Sequence, residues 1–274
     1  MDDAPFDQIG NWSEIKLEIV RDYASAYSKI MAAQKYIKRY LYIDAFAGWG
    51  VHVSKTTGDF VAGSPTNALN VEPPFSEYHF IDLNNKRVEN LQQISSERDN
   101  VTVYQGDCNP ILLEQIYDRC RYDDFSRALC LLDPYGLNVD WNVIQTAGQM
   151  KSVEIFFNFM IMDANMNVFR KNPDNVDKSQ IARMNFAWGD ESWKSAAYTP
   201  QKDLFGEYEE KNPNEQVIAA LRKRLKEVAG FDYVPEPLPM KNSSGAVVYY
   251  LFFASPNRTG GKIVTEIFNK YRSG

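Results

Sequence analysis

The sequence predicts an α/β fold built on a seven-stranded mixed sheet that helices cover on both faces. Short apolar segments alternate with helical patterns five times along the chain, as expected when helices connect parallel strands. Near the end, two further apolar segments flank a polar turn at 241–245, which is typical of an antiparallel hairpin. The chain has 274 residues, 44% of them hydrophobic, which is enough to bury such a core.

Each element follows from a local pattern. An N-terminal helix is predicted over 11–35, because Ile15, Ile19, Tyr23 and Ala26 recur along one helical stripe. Each of the next five apolar segments has the length of a strand and is followed by a polar turn or a helical pattern. These five strands are predicted at 40–48, 77–82, 101–107, 128–132 and 153–161.

The alternation breaks after the fifth strand. Residues 163–210 are polar, contain scattered prolines and show no strand pattern, so we interpret them as a mostly helical insertion. A helix over 214–230 ends at a glycine, and segments 231–240 and 246–255 close the sheet as an antiparallel pair. We expect one domain over 1–274. Five strand–helix units with a terminal hairpin form the Rossmann-like layout of class I S-adenosylmethionine (SAM) methyltransferases.

Composition argues against several functions. A formal net charge of −6 disfavours a broad basic face for duplex nucleic acid. The chain has no apolar run of 18 residues, and its acidic amino terminus lacks the apolar core of a signal peptide. We therefore expect a cytoplasmic protein that does not associate with a membrane. We expect no metal site, because the three cysteines share no CxxC spacing; they are Cys108, Cys120 and Cys130.

Acidic residues or glycines lie at the carboxyl ends of the first four strands. Ligands of open α/β sheets bind beyond these ends, where the strand order switches. Gly48 and Gly50 leave room for a ligand to approach the backbone, and we place Phe46 of the same segment with them in the cofactor site. Asp44 lies inside the first strand and needs a partner if it is buried, which a cationic amino group of a ligand would supply.

Two further acids suit an adenosine-like ligand. Asp82 can accept hydrogen bonds from both ribose hydroxyls, and Asp107 can accept one from the exocyclic amine of adenine. A dinucleotide is the main alternative ligand. Its binding motif, G-x-G-x-x-G, needs a third glycine three residues after the second, and position 53, three residues after Gly50, is not a glycine. We therefore expect SAM as the cofactor.

The fourth strand ends in Asp133-Pro134-Tyr135-Gly136. Amino-methyltransferases carry an acid or amide, prolines and an aromatic residue here, because an exocyclic amine is a poor nucleophile that must be held toward the methyl group. Asp133 and the carbonyl of Pro134 would accept its N–H groups, and Tyr135 would stack on a flipped base. Alternatively, Asp133 caps the turn and Tyr135 fills the core. Asn158, a polar residue in an apolar strand, either contacts substrate or satisfies a neighbouring backbone group.

The motifs YIDAFAGWG, GSPTNAL, FID, GD and LLDPYGLNVDW together resemble the three-Cys-motif partner (TcmP) proteins of bacteria. The resemblance runs from about residue 12 to the C-terminal helix. It implies the class I methyltransferase fold with SAM as cofactor, and as partner a three-cysteine protein similar to radical-SAM enzymes. The DPYG block itself is similar to that of tRNA guanine-N2 dimethyltransferases, and it lacks the second proline of the D-P-P-Y block of adenine-N6 enzymes.

The sequence thus predicts a SAM-dependent N-methyltransferase acting on an exocyclic amine of a nucleic-acid base in RNA or DNA. One alternative is a SAM-fold protein that binds another protein and has little catalysis. The other is a methyltransferase for a small metabolite or a protein side chain. Negative charge and the lack of an added RNA-binding domain favour the alternatives, whereas the DPYG stretch favours a base.

Overall fold

The computed structural model describes residues 6–204 and 206–272. The strands of its main sheet are β1 (Arg39–Asp44), β2 (Glu77–Asp82), β3 (Val101–Gln105), β4 (Ser126–Leu132), β5 (Val153–Phe159), β6 (Leu238–Lys241) and β7 (Val247–Ala254). Its helices are α1 (Asn11–Ala33), α2 (Ser64–Leu69), α3 (Asn85–Ile94), α4 (Cys108–Ile111), α5 (Trp141–Met150), α6 (Ile161–Asn167), α7 (Lys178–Trp188), α8 (Trp193–Ala197), α9 (Asn214–Glu227) and α10 (Arg258–Arg272). A π-helical turn at Leu112–Ile116 and 3-10 turns at Tyr117–Cys120 and Pro173–Asn175 complete the helical segments.

The strand order across the sheet is β6-β7-β5-β4-β1-β2-β3. Strands β1 to β5 pair in parallel, β7 runs antiparallel to β5, and β6 runs antiparallel to β7. The predicted mixed sheet with its closing hairpin is confirmed. Because the chain passes from β1 outward to β3 and then returns to β4, the order switches between β1 and β4, which is where open sheets bind ligands.

The central strands are buried on both faces. Alternate residues of each strand point to opposite sides and therefore join two different cores. On β1, Leu41 and Ile43 join one core, which α5, α9 and the turns at 108–120 cover. Tyr42 joins the other core, together with residues of α1, α2, α3 and α10. The three cysteines are buried free thiols.

The segment 163–210 differs from the prediction. It is helical through α8, but Tyr198–Asp203 and Gly206–Lys211 form an antiparallel hairpin, so the expectation that this segment contains no strand was wrong. Most residues of the hairpin are exposed, and therefore no alternation of apolar and polar residues marks its strands.

A small second sheet lies between β1 and α2. Val51–Ser54 pairs antiparallel with Phe60–Ala62, and the amino-terminal residues Gln8–Ile9 pair in parallel with Val51–Ser54. This pairing holds the segment before α1 beside the loop that follows β1.

No helix in the described part of the chain is long and apolar enough to cross a membrane. Within the same residues, no group of three or more His, Cys, Asp or Glu side chains is arranged to hold a metal ion.

Candidate cofactor and active site

A cavity of about 440 Å³ opens at the carboxyl ends of β1 and β4, at the switch in strand order. The loop after β1, the turn after β4, the segment 7–17 and the first residues of β7 form its walls. Five of the ten sequence-predicted site residues line it: Phe46, Gly48, Asp133, Pro134 and Tyr135. The other five do not line it: Asp44, Gly50, Asp82, Asp107 and Asn158.

The loop after β1 contains the two predicted glycines, both with positive φ, +66° at Gly48 and +74° at Gly50. L-residues with side chains rarely adopt this conformation. At Gly48 a Cβ would meet only His52 Cε1, at 3.9 Å, so this glycine leaves open space in the cavity wall. At Gly50 a Cβ would lie 2.8 Å from Ile94 Cδ1 of α3, the end of a flexible side chain that can shift, so it is the positive φ that favours glycine at this position.

Asp82 ends β2 and connects it to the glycine loop. Its Oδ2 accepts a 2.9 Å hydrogen bond from the Gly48 N–H, and its Oδ1 accepts one of 2.8 Å from the Asn84 N–H. The Arg87 guanidinium lies 3.6 Å from Oδ2. The next residue, Leu83, is 72% exposed and offers an apolar surface beside the carboxylate.

Asp107 and Asp44 do not line the cavity. Asp107 is exposed and is the N-cap of α4, where its Oδ1 accepts hydrogen bonds of 2.9 Å from the backbone and side-chain amides of Asn109. Asp44 is fully buried, and burial raises its pKa to about 7. Its Oδ1 accepts a 3.3 Å bond from the Phe46 N–H, while its Oδ2 has no partner with hydrogen-bond geometry within the described residues; the Ser64 hydroxyl acts on the same carboxyl and lowers its pKa against the larger effect of burial.

Two side chains hold the carboxylate of Asp133. Its Oδ2 accepts a hydrogen bond from the Lys16 ammonium of α1, and its Oδ1 accepts one from the Asn158 amide of β5. Asn158 is buried and lies outside the cavity wall, so it orients Asp133 from behind. In the described chain, the turn is instead capped by Asp163, whose Oδ2 accepts a 3.1 Å bond from the Leu137 N–H.

The residues after Asp133 shape the rim of the cavity. Pro134 is buried, whereas the side chain of Tyr135 is 72% exposed and does not fill the core. A Cβ at Gly136 would lie 2.7 Å from Asp163 Oδ2, so this glycine lets the capping carboxylate approach the turn. The turn therefore presents an aromatic ring at the mouth of the cavity.

Sequence reasoning missed four basic residues of the cavity wall, Lys16, His52, Lys55 and Arg87. Lys16 falls in register with the apolar stripe of α1, four residues before Val20, and this is the signal that marks it as buried. Burial lowers the pKa of His52. The Arg87 guanidinium donates a 2.8 Å hydrogen bond to Asp7, which ties the segment before α1 to α3.

Strand order, the reversed β7 and a ligand-sized cavity at the switch point define a Rossmann-like class I methyltransferase fold. A protein from Legionella pneumophila assigned to DUF519 has a similar structure, with a TM-score of 0.54 at 11% identity over 96% of this chain and 92% of that one. This likeness is one of fold.

Two other solved structures are more distant. The N-terminal domain of EvdMO1 with SAH bound is 12% identical over 87% of this chain and 81% of that one, with a TM-score of 0.42. A putative methyltransferase from Thermobifida fusca is 12% identical over 88% and 81%, with a TM-score of 0.39. Neither the comparison with protein-family models nor that with curated proteins finds a match.

Proposed function

We propose that the protein is a SAM-dependent N-methyltransferase that acts on an exocyclic amine of a nucleic-acid base. One observation carries the proposal: the turn Asp133–Tyr135 and the loop residues Phe46 and Gly48 line the same cavity. An acceptor for an amine thus lies beside the loop that we assign to the cofactor. Near-attack placement of the two reactants supplies a large part of the rate in such a transfer.

The residues present fit SAM. Asp82 uses one lone pair of each oxygen for a backbone N–H, so it retains acceptor sites for the ribose hydroxyls. Leu83 offers an apolar surface for adenine, and the exposed Asp107 an acceptor for its amine. The conformation of Gly48 leaves open space in the wall, and the unpartnered Oδ2 of Asp44 lies behind the same loop. When bound, SAM supplies an electrophilic methyl group.

Asp133 performs the orienting step. A carboxylate has about four lone-pair sites, and Lys16 and Asn158 use two of them. The remaining sites and the Pro134 carbonyl can accept the two N–H groups of the amine, which directs the nitrogen lone pair into the cavity. Tyr135, exposed at the mouth, would stack on the extruded base and stabilise it by ~1–3 kcal/mol.

A second candidate function is a SAM-fold protein that binds another protein and has little catalysis of its own. The ion pair of Lys16 with Asp133 favours it, because the ammonium already engages one carboxylate oxygen, as in a purely structural contact. The resemblance to TcmP proteins implies the partner, a three-cysteine protein similar to radical-SAM enzymes. A methyltransferase for a small metabolite or a protein side chain would use the same acceptor.

Transfer of radiolabelled methyl groups from SAM to total cellular tRNA, rRNA and DNA tests the proposal, run beside a pull-down from cell extract. The proposal expects incorporation into one nucleic-acid fraction, which Asp133→Ala removes. The second candidate expects no incorporation, and a protein complex that survives both Asp133→Ala and Tyr135→Ala. Incorporation into protein or small molecules alone would contradict a nucleic-acid substrate.

A further inference from the structure

Lys16 is a buried lysine whose ammonium lies in the cavity that we assign to the substrate amine. The exposed fraction of its side chain is 10%, against 25% for its partner Asp133. Helix α1 fixes the backbone of Lys16, because Ile19, Val20 and Tyr23 on the same stripe are buried in the core. The ammonium is therefore a built part of the site and does not sample solvent as a surface lysine does.

The cavity is lined by charged side chains of both signs, most of which form ion pairs. Lys16 neutralises Asp133, and Arg87 donates to Asp7 over 2.8 Å. Lys55 adds a further cation to the wall, so the lining carries three cations against two carboxylates. Asp133 is thus an acceptor whose negative charge is already balanced before any amine arrives.

We propose that Lys16 determines the charge of the amine that this site accepts, admitting uncharged amines and excluding alkylammonium groups. The inference rests on the proposed function. A neutral exocyclic amine needs only hydrogen-bond acceptors for its two N–H groups, and the unoccupied lone pairs of Asp133 and of the Pro134 carbonyl can supply them. An alkylammonium group would have to lie within hydrogen-bond distance of Asp133, close to the Lys16 ammonium, where repulsion between like charges is weakly screened because the site is partly buried.

The substrate class follows from this exclusion. Lysine side chains and polyamines are cationic near neutral pH, whereas the amines of adenine, guanine and cytosine are uncharged because they are conjugated to the ring. Lys16 therefore favours a nucleobase over a protein or polyamine substrate. A carboxylate without this lysine would attract the cationic amines.

Butylammonium chloride is the probe, with 1-butanol as an uncharged molecule of matched size. Binding is followed by chemical-shift titration of the isotope-labelled protein at Tyr135 and Gly136, which localises it to the cavity. The unmodified protein is expected to bind neither probe saturably. Lys16→Met keeps an unbranched side chain of similar length and removes the charge. Butylammonium should then bind saturably, with a Kd about tenfold or more below the lower limit that the titration sets for the unmodified protein, as for a new charge-assisted hydrogen bond.

Matched variants isolate the cause. Lys16→Arg retains the charge and should not gain butylammonium binding. Lys55→Met removes a cation of the same wall that does not contact Asp133, and it should not gain binding either. The double change Lys16→Met with Asp133→Asn should lose the gain.

Two results would overturn the inference. One is saturable butylammonium binding at Tyr135 in the unmodified protein, a measurement that needs no variant to fold. The other is a folded Lys16→Met protein that binds butylammonium no better than the unmodified protein. Because these titrations need no methyl transfer, failure of the proposed function would show separately, as absent incorporation into nucleic acid.

Discussion

The backbone N–H of Gly48 donates a 2.9 Å hydrogen bond to Asp82 Oδ2, which joins the loop after β1 to the end of β2. The Asn84 N–H donates to the other oxygen of the same carboxylate over 2.8 Å. Asp82 therefore holds two backbone segments in place as well as being our candidate for the ribose hydroxyls. Substitutions at this position should change stability and cofactor affinity together.

We expect Asp82→Ala to weaken SAM binding by roughly 1–3 kcal/mol and to lower the free energy of unfolding by a similar amount, because both N–H groups and the ribose lose their acceptor. Asp82→Asn keeps one acceptor oxygen and should show about half of each loss. Calorimetric titration with SAM and urea unfolding measure the two effects. Unchanged SAM affinity in a folded Asp82→Ala protein would refute the ribose assignment.

The sheet could be predicted from the sequence because most residues of its central strands, β1, β2, β4, β5 and β7, are buried on both faces and are apolar. β2 lies at the predicted bounds, and α1 begins at the predicted residue. The hairpin at 198–211 could not be predicted, because its exposed strands bury little apolar surface and therefore carry no periodic pattern. Likewise, the strand pairing of Gln8–Ile9 depends on partners 45 residues further along the chain, Val53 and Ser54, and on backbone hydrogen bonds that do not depend on residue type.

Part of the lining of the candidate site could be predicted from the sequence, whereas the contacts between its residues could not. Strand-end position alone brought Asp133 and Gly48 to one cavity, because the carboxyl ends of parallel strands share an edge. The partner of Asp133 comes from α1, 117 residues away, and the sequence does not reveal such a tertiary ion pair. Asn158 was noted as a polar residue in an apolar strand, but its contact with Asp133 depends on the register of β4 against β5.

Asp133→Ala should abolish methyl transfer while SAM affinity stays within about threefold, because the carboxylate orients the amine and does not bind the cofactor. The change also leaves the buried Lys16 ammonium without its acceptor, so the free energy of unfolding should fall by about 1.5–3 kcal/mol. Asp133→Asn keeps a carbonyl acceptor and should retain part of the methyl-transfer activity and part of the lost stability. Single-turnover assays with labelled SAM measure the transfer, and undiminished transfer in Asp133→Ala would mean that the catalytic centre lies elsewhere.

Tyr135→Ala should raise the KM for nucleic acid by about tenfold and lower kcat less than Asp133→Ala does, because loss of stacking weakens base binding by ~1–3 kcal/mol. Tyr135→Phe should be mild, since stacking needs the ring and not the hydroxyl. Thermal unfolding should be nearly unchanged in both variants, because the side chain is 72% exposed. A large drop in melting temperature with unchanged KM would instead assign Tyr135 a structural role.

Glu154 lies buried near the amino end of β5 and does not line the cavity. Its Oε2 accepts a hydrogen bond from the Tyr23 hydroxyl, and its Oε1 accepts one of 2.9 Å from Ser255. Burial raises the pKa of Glu154 from 4.5 to about 7, although both hydrogen bonds act in the opposite direction. The folded protein therefore binds a proton that the unfolded chain has already released in this pH range.

Because the folded pKa lies above the unfolded one, the stability that Glu154 contributes is fully present below pH 4.5 and is lost as pH rises through about 7. At 1.36 kcal/mol per pKa unit the loss is about 3 kcal/mol. The Gln side chain of Glu154→Gln stays uncharged at every pH. Between pH 4.5 and 8 the unfolding free energy of the variant, relative to that of the unmodified protein, should therefore rise by about this amount.

Urea unfolding across this pH range measures the difference, with the exposed Glu97→Gln as a control that should follow the unmodified protein. Asp44, whose pKa is likewise raised to about 7 by burial, acts with the same sign in both proteins and cancels in the difference. Parallel pH curves for Glu154→Gln and the unmodified protein would show that Glu154 ionises in the folded state near its ordinary value.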